Sequence, residues 1–229
     1  MMSEKMPIVQ PVTVRFVYQV TGVLKFLSHL DLLKLFNRAL LRANLPVAYS
    51  EGFNPHPKIS FGPPRGVGQE GLQEMGDLQL REAVPPEEVC QRLNQALPTA
   101  VRVLQARLLT ETGPALMAVI NLAVYEAEFP VDDPLLSKLS DNVQAFLAAD
   151  KVEIVRYHPK KRPKTIDLRA GVQQISLLEN RLHLEIPFAE GGSVKASEVL
   201  QQLLPPGLDC RLARAGLFVQ NAAGERRLP

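Results

Sequence analysis

At 229 residues, 46% hydrophobic and 22% charged, the chain has the make-up of an ordinary globular protein, which excludes the disordered and collagen-like classes. A net charge of +2 excludes a strongly basic or acidic chain, so any polyanion site has to arise from local clustering of bases. No run approaches the roughly 18 apolar residues of a membrane span, so no membrane partner is expected, and Met1 to Pro11 lacks a signal-peptide core, which predicts a cytoplasmic location.

Val12 to Val20 alternates, is rich in β-branched and aromatic residues, and predicts a strand. Ser28 predicts a helix cap, with Asp31 adding a favourable charge to the first turn. From His29 to Asn44, the residues Leu32, Leu33, Phe36, Leu40 and Ala43 recur at helical spacing. Asn44 and Pro46 stop that helix. Val47 to Ser50 and Lys58 to Gly62 read as short strands flanking a loop braced by Pro55 and Pro57. Gly66 to Gly71 reads as a flexible turn, Met75 to Ala83 as a strand, and Pro85 to Leu97 as a helix. Val101 to Leu109 closes a ferredoxin-like unit with one extra short strand.

Thr110 to Pro114 contains Gly and Pro and marks a boundary, giving domains at 1–112 and 113–229. The pattern then restarts with a strand at Ala118 to Phe129, a helix at Pro134 to Ala148 and a strand at Val152 to Tyr157. A basic loop, HPKKRPK, precedes short strands near Thr165 to Leu168, Gln174 to Leu178 and Leu182 to Phe188. A helix at Ser193 to Leu204 and a strand at Cys210 to Val219 complete it, with a frayed polar tail after Gln220. The predicted fold is α+β: tandem ferredoxin-like (β-α-β-β-α-β) units with extra short strands. A short internal repeat supports the division: Val47-Ala-Tyr49 and Val155-Arg-Tyr157 each lead through a Pro-rich loop to a Pro-Lys strand.

Three stretches carry the chemistry. The first is the braced loop with the helix start before it, where Ser28, His29, Asp31, Tyr49, Asn54, His56 and Lys58 are expected to form one accessible recognition cluster. Stiff backbone lowers the entropy lost on meeting a ligand. The second is Lys151 to Arg169, whose bases include Lys160, Lys161, Arg162, Lys164 and Arg169, interleaved with Tyr157 and His158. Aromatic faces stack bases and cations track phosphates, so this stretch predicts RNA binding; a solvated basic face is the alternative. The third is Gly191 to Lys195, a Gly-rich helix start capped by Ser193 or Ser197, where Lys195 is a candidate phosphate ligand; an ordinary turn is the alternative.

The histidines at 29, 56, 158 and 183 form no i,i+4 pair, and Cys90 and Cys210 stand far apart. No metal site and no cofactor are therefore expected. His29 is the candidate general base or acid if an RNA 2′-hydroxyl approached it.

The run FLSHLDLLKLFNRALLRANLPVAYSEGFNPHPKISFGPP closely resembles an uncharacterised family of bacterial radical-SAM-linked proteins, found alone or fused C-terminally to a cobalamin-binding radical SAM protein. KTIDLRAGV and GGSVKASEVLQQLL are similar to later segments of that family, so the resemblance spans most of the chain. It implies a radical SAM partner and, through neighbouring ribonuclease and ribosomal-protein genes, a role in RNA or ribosome maturation. The expected function is an RNA- or ribonucleoprotein-binding accessory subunit without catalysis of its own. The alternatives are a metal-independent endoribonuclease using His29 and a protein-interaction scaffold.

Overall fold

Val14, Phe16, Tyr18 and Val20 stand on one side of the first strand, β1 (Val12–Val20), and none is more than 2% exposed. The period of two that marks this segment as a strand thus also selects the side that joins the core, although Arg15 and Val17 on the other side are buried as well. A computed structural model describes residues 11–110, 113–158, 161–189 and 193–229. The fold is α+β. The described residues form two compact units: one holds the chain through Val67 together with Gln73–Val119, the other Gly68–Leu72 together with Ile120–Pro229.

In the first unit a 3-10 turn, Gly22–Phe26, leads to α1 (His29–Ala43). Its start and stop are local chemistry. The Ser28 hydroxyl accepts the Asp31 N–H at 3.2 Å, and Asn44 turns left-handed at φ 50°. Then come β2 (Ile59–Phe61), β3 (Glu70–Leu80), α2 (Pro86–Ala96), β4 (Val101–Leu108) and α3 (Leu116–Val119). The strand order is β4-β1-β3-β2. Leu32, Phe36, Ala39 and Leu40 of α1 and Val89 and Leu93 of α2 join the inner face of β1 in one core. Within it the rings of Phe16, Tyr18, Phe36 and Phe61 interlock at centroid distances of 5.1–6.3 Å. Each such ring contributes about 1.5–3 kcal/mol by burial, with about 0.5–1.5 more for each well-oriented pair.

The second unit contains β5 (Leu122–Glu128), α4 (Leu135–Ala148), β6 (Glu153–His158), β7 (Lys161–Asp167), β8 (Gln174–Leu178) and β9 (Arg181–Pro187). It ends with α5 (Ala196–Leu203), β10 (Arg211–Gln220) and β11 (Arg226–Arg227). Strands β10, β5, β9 and β8 lie side by side in that order, all antiparallel. Glu70 and Gly71 add to β10 in parallel, opposite Ala213 and Arg214. β6 and β7 form a separate two-stranded sheet. Both units therefore place the final strand beside the first, with β6–β7 inserted in the second unit as an extra hairpin.

Four expectations are corrected. Val47 to Ser50 is no strand: Val47 bridges Leu80 and Tyr49 bridges Pro57 as isolated pairs. Pro46, Pro55 and Pro57 lack the N–H donors that a ladder needs. β3 begins at Glu70, inside the stretch read as a flexible turn, because β10 supplies partners there. The strand expected from Ala118 starts at Leu122, since Leu116–Val119 is helical. Finally, the tail is not frayed, because Arg226 and Gln220 pair across a tight turn.

Candidate functional site

The start of α1 organises three of the expected residues. The Ser28 hydroxyl donates to Asp31 Oδ2 at 2.6 Å, and Lys34 Nζ stands 3.5 Å from Oδ1. The Ser28 hydrogen bond, and then Lys34, hold the Asp31 carboxyl below its usual range. His29 is exposed, and its ring meets Phe61 edge-on at 6.0 Å. His29 also borders a notch with Ser28, Gly62, Pro63, Pro64 and Arg65, so the two ends of the long motif, FLSHLD and ISFGPP, converge. The notch encloses about 10 Å³. That is at most the space of a single water, so no substrate is engulfed there.

The braced loop is a hydrogen-bonded clamp. The Ser50 N–H donates to the His56 carbonyl at 2.9 Å, and the His56 N–H returns to Ser50 Oγ at 3.1 Å. Ser50 Oγ lies 2.8 Å from His56 Nδ1. With the hydroxyl donating to Nδ1, the ring proton sits on Nε2 and the imidazole offers a donor. The tip carries Gly52 at φ +119° and Phe53, whose side chain is fully exposed. Asn54 is also exposed, and Tyr49 is 42% exposed.

Lys58 belongs to a different place. Its backbone ties Ala48 to Gln79, through Lys58 N–H to Ala48 O at 2.8 Å and Gln79 N–H to Lys58 O at 2.9 Å. Its side chain lines a cleft with Thr13, Ser60, Asp77 and Gln79. The expected cluster is thus distributed over a helix start, a clamped loop and a cleft, all within the first unit.

In the second unit the basic stretch is the β6–β7 hairpin. Ile154 opposes Ile166 and Arg156 opposes Lys164, while Val155 opposes Thr165 one step out of phase. Ile166 is buried, which identifies the inner face. On that face Arg156 grips Glu198 of α5 with two hydrogen bonds, at 2.9 and 2.6 Å, and donates to the Ser193 carbonyl at 3.3 Å. Burial opposes ionisation of Glu198, but the bonds from Arg156 and from the Lys195 backbone outweigh it and hold its carboxyl low. The outer face shows Val155 and Tyr157, the latter 78% exposed, and Arg162 and Lys164 are exposed on β7. Lys160 lies outside the described residues, as does the side chain of Lys161.

Arg169 is half-buried and reaches the Leu147 carbonyl at 3.5 Å. Just before it, Asp167 Oδ1 accepts N–H bonds from Val152, Arg169 and Ala170, which closes the base of the hairpin. At Lys195 the helix cap is corrected. Neither Ser193 nor Ser197 caps α5; Glu198 Oε2 reaches back to the Lys195 N–H at 3.2 Å. A carboxylate therefore already answers the helix dipole there. Gly191 and Gly192 lie outside the described residues.

Sequence reading missed the Arg156–Glu198 tie and the buried Arg214, which is 1% exposed on β10. A Glu three residues after Lys195, just before an apolar helical run, is a local signal for the cap, but nothing local marks Arg156 as its partner or Arg214 as buried. Among the described residues no cluster of potential ligands could hold a metal ion, and no helix is long and apolar enough to cross a membrane.

The model of a family described as an uncharacterised protein conserved in bacteria (DUF2344) matches residues 13–209. No curated protein matches the chain.

Proposed function

The chain belongs to this uncharacterised family conserved in bacteria, and we propose that it is an RNA- or ribonucleoprotein-binding accessory subunit that works with a radical SAM enzyme in RNA or ribosome maturation. One observation carries the RNA reading: a separate two-stranded hairpin that exposes Tyr157 on β6 and carries the exposed bases Arg162 and Lys164 on β7. An exposed aromatic face offers a base a stacking surface, and cations on the neighbouring strand can follow the phosphates. The Arg156–Glu198 tie anchors the hairpin, so it meets its ligand with little ordering left to do.

The radical SAM partnership rests on the motif resemblance. It agrees with the chain having two cysteines, too few for a cysteine-ligated iron–sulfur cluster, so that chemistry would reside in a partner.

The test is binding of structured RNA across a salt series. Replacing Lys160, Lys161, Arg162 and Lys164 by Glu is expected to weaken binding to all sequences alike. Each lost phosphate contact should flatten the log–log salt slope by about 0.7–0.9. Unchanged affinity and slope would make the hairpin a solvated face. Cleavage in the presence of EDTA that disappears on His29→Ala would replace the subunit by an endoribonuclease.

A further inference from the structure

The outer face of the first unit's sheet holds a cleft that RNA binding at the hairpin does not use. It encloses about 390 Å³ and is lined by Thr13 of β1, Ile59 and Ser60 around Lys58, Asp77 and Gln79 of β3, and Leu109, Gly113 and Ala115. Small-molecule sites occupy about 300–1,000 Å³, so this volume suits one compact ligand.

The register explains why the polar groups gather. Ser60 opposes Asp77 across the β2–β3 ladder, and Lys58 and Gln79 are joined through the backbone next to them. Side chains two apart share a face, so Lys58 and Ser60 align with Asp77 and Gln79. Asp77 is not a bare charge. Arg15 donates to both its oxygens, at 2.7 and 2.8 Å, and the two side chains are 9% and 14% exposed. The pair is neutral, and among the described residues Lys58 has no ion-pair partner. Among the described residues the lining therefore carries one net positive charge, which favours an anion.

The neutral lining narrows the choice. Hydroxyls of Thr13 and Ser60 can donate to anionic oxygens. The Gln79 amide offers a donor and an acceptor together, and each Asp77 oxygen keeps a lone pair beyond its Arg15 bond. Leu109 and Ala115 supply apolar surface for a flat or ring-shaped group. We propose that this cleft binds a single phosphorylated nucleotide unit, with its phosphate on Lys58 and its base edge facing Gln79 and Asp77. The unit is either a free nucleotide or the phosphorylated end of an RNA, and only the second source rests on the RNA reading above.

Titration of the full chain with 5′-nucleoside monophosphates, the matching nucleosides and inorganic phosphate tests this. Saturable binding of at least one monophosphate is expected, at least ten-fold weaker for its nucleoside and for inorganic phosphate. Lys58→Met should reduce monophosphate affinity at least ten-fold. Lys58 is exposed and its ladder bonds are backbone bonds, so an unchanged melting temperature is expected for that variant. Ser60→Ala should produce a smaller loss. The hairpin variant with four Glu replacements should keep mononucleotide binding, which separates failure of this site from failure of the hairpin. Displacement of the mononucleotide by a short 5′-phosphorylated RNA assigns the site to an RNA end, and lack of displacement assigns it to a free nucleotide. Absence of binding at millimolar concentration, binding indifferent to Lys58→Met, or inorganic phosphate binding as tightly as the nucleotide would each overturn the proposal.

Discussion

Phe16 fills the space above Gly76: a Cβ placed on Gly76 would come within 2.4 Å of the Phe16 ring. The ring has no route of escape, because Phe16 is fully buried and meets Tyr18, Phe36 and Phe61. Gly76→Ala should therefore act as overpacking and destabilise by about 1–3 kcal/mol, read from the urea midpoint. An unchanged midpoint would show that the aromatic cluster tolerates a shift. This contact could not be read from the sequence, where Phe16 and Gly76 are far apart and Gly76 looks like a weak point in a strand. What could be read were interactions closed within a few residues. Ser28 and Asp31 at the helix start, and Asn44 at its end, behave as their side-chain chemistry dictates. His29 was legible as an exposed first-turn residue; its contact with Phe61, which joins the two motif ends, was not.

Elements with a clear period were legible for the same local reason: β1, α1, α2, β6, β8 and β9 fall within a few residues of their expected places, whereas β7 takes in Lys161 to Lys164 of the expected basic loop. Those that depend on a distant partner were not. β11 is tied by Arg226 to a buried carboxylate on β9: Arg226 donates to Glu185 Oε1 at 2.7 Å and also to Oε2, while His183 Nε2 lies 3.1 Å from Oε1. Burial opposes ionisation of Glu185, yet the bonds from Arg226 and His183 outweigh it and hold the carboxyl below its ordinary value of 4.5. A carboxyl depressed by folding adds stability above the unfolded value, and that stability is lost as pH falls through the folded one. The wild-type urea midpoint should accordingly drop as pH falls below about 4.5. Arg226→Ala should destabilise by about 2 kcal/mol near neutrality, discounted because Arg226 is a third exposed. The variant should also lose less stability on acidification than the wild type. Parallel pH profiles for the two proteins would mean that β11 is held by its ladder bonds and not by Glu185.

At the scale of the whole molecule, the sequence does not divide cleanly where its elements repeat. The repeat of strand and helix patterns suggests cutting the chain after residue 112, but Gly68–Leu72 is counted with the second unit. Glu70 explains why. It is 5% exposed and accepts two hydrogen bonds from Arg211 of β10, at 2.9 and 2.6 Å, beside the parallel pairing of Glu70 and Gly71 with Ala213 and Arg214. Hydrophobic period and turn signals report neighbours along the chain, so a strand piece given across more than a hundred residues leaves no local mark. A fragment of residues 113–229 would lack that piece. It would expose one edge of β10 and leave Arg211 without Glu70, with a row of unpaired backbone groups ready to pair with other chains. This fragment should therefore unfold at lower urea than the second unit does in the full chain, and it should self-associate. Adding a peptide of residues 66–74 should restore part of the midpoint, and the same peptide with Glu70→Gln should restore less. A fragment as stable and monomeric as the intact protein, indifferent to either peptide, would show that residues 113–229 carry all that their unit needs.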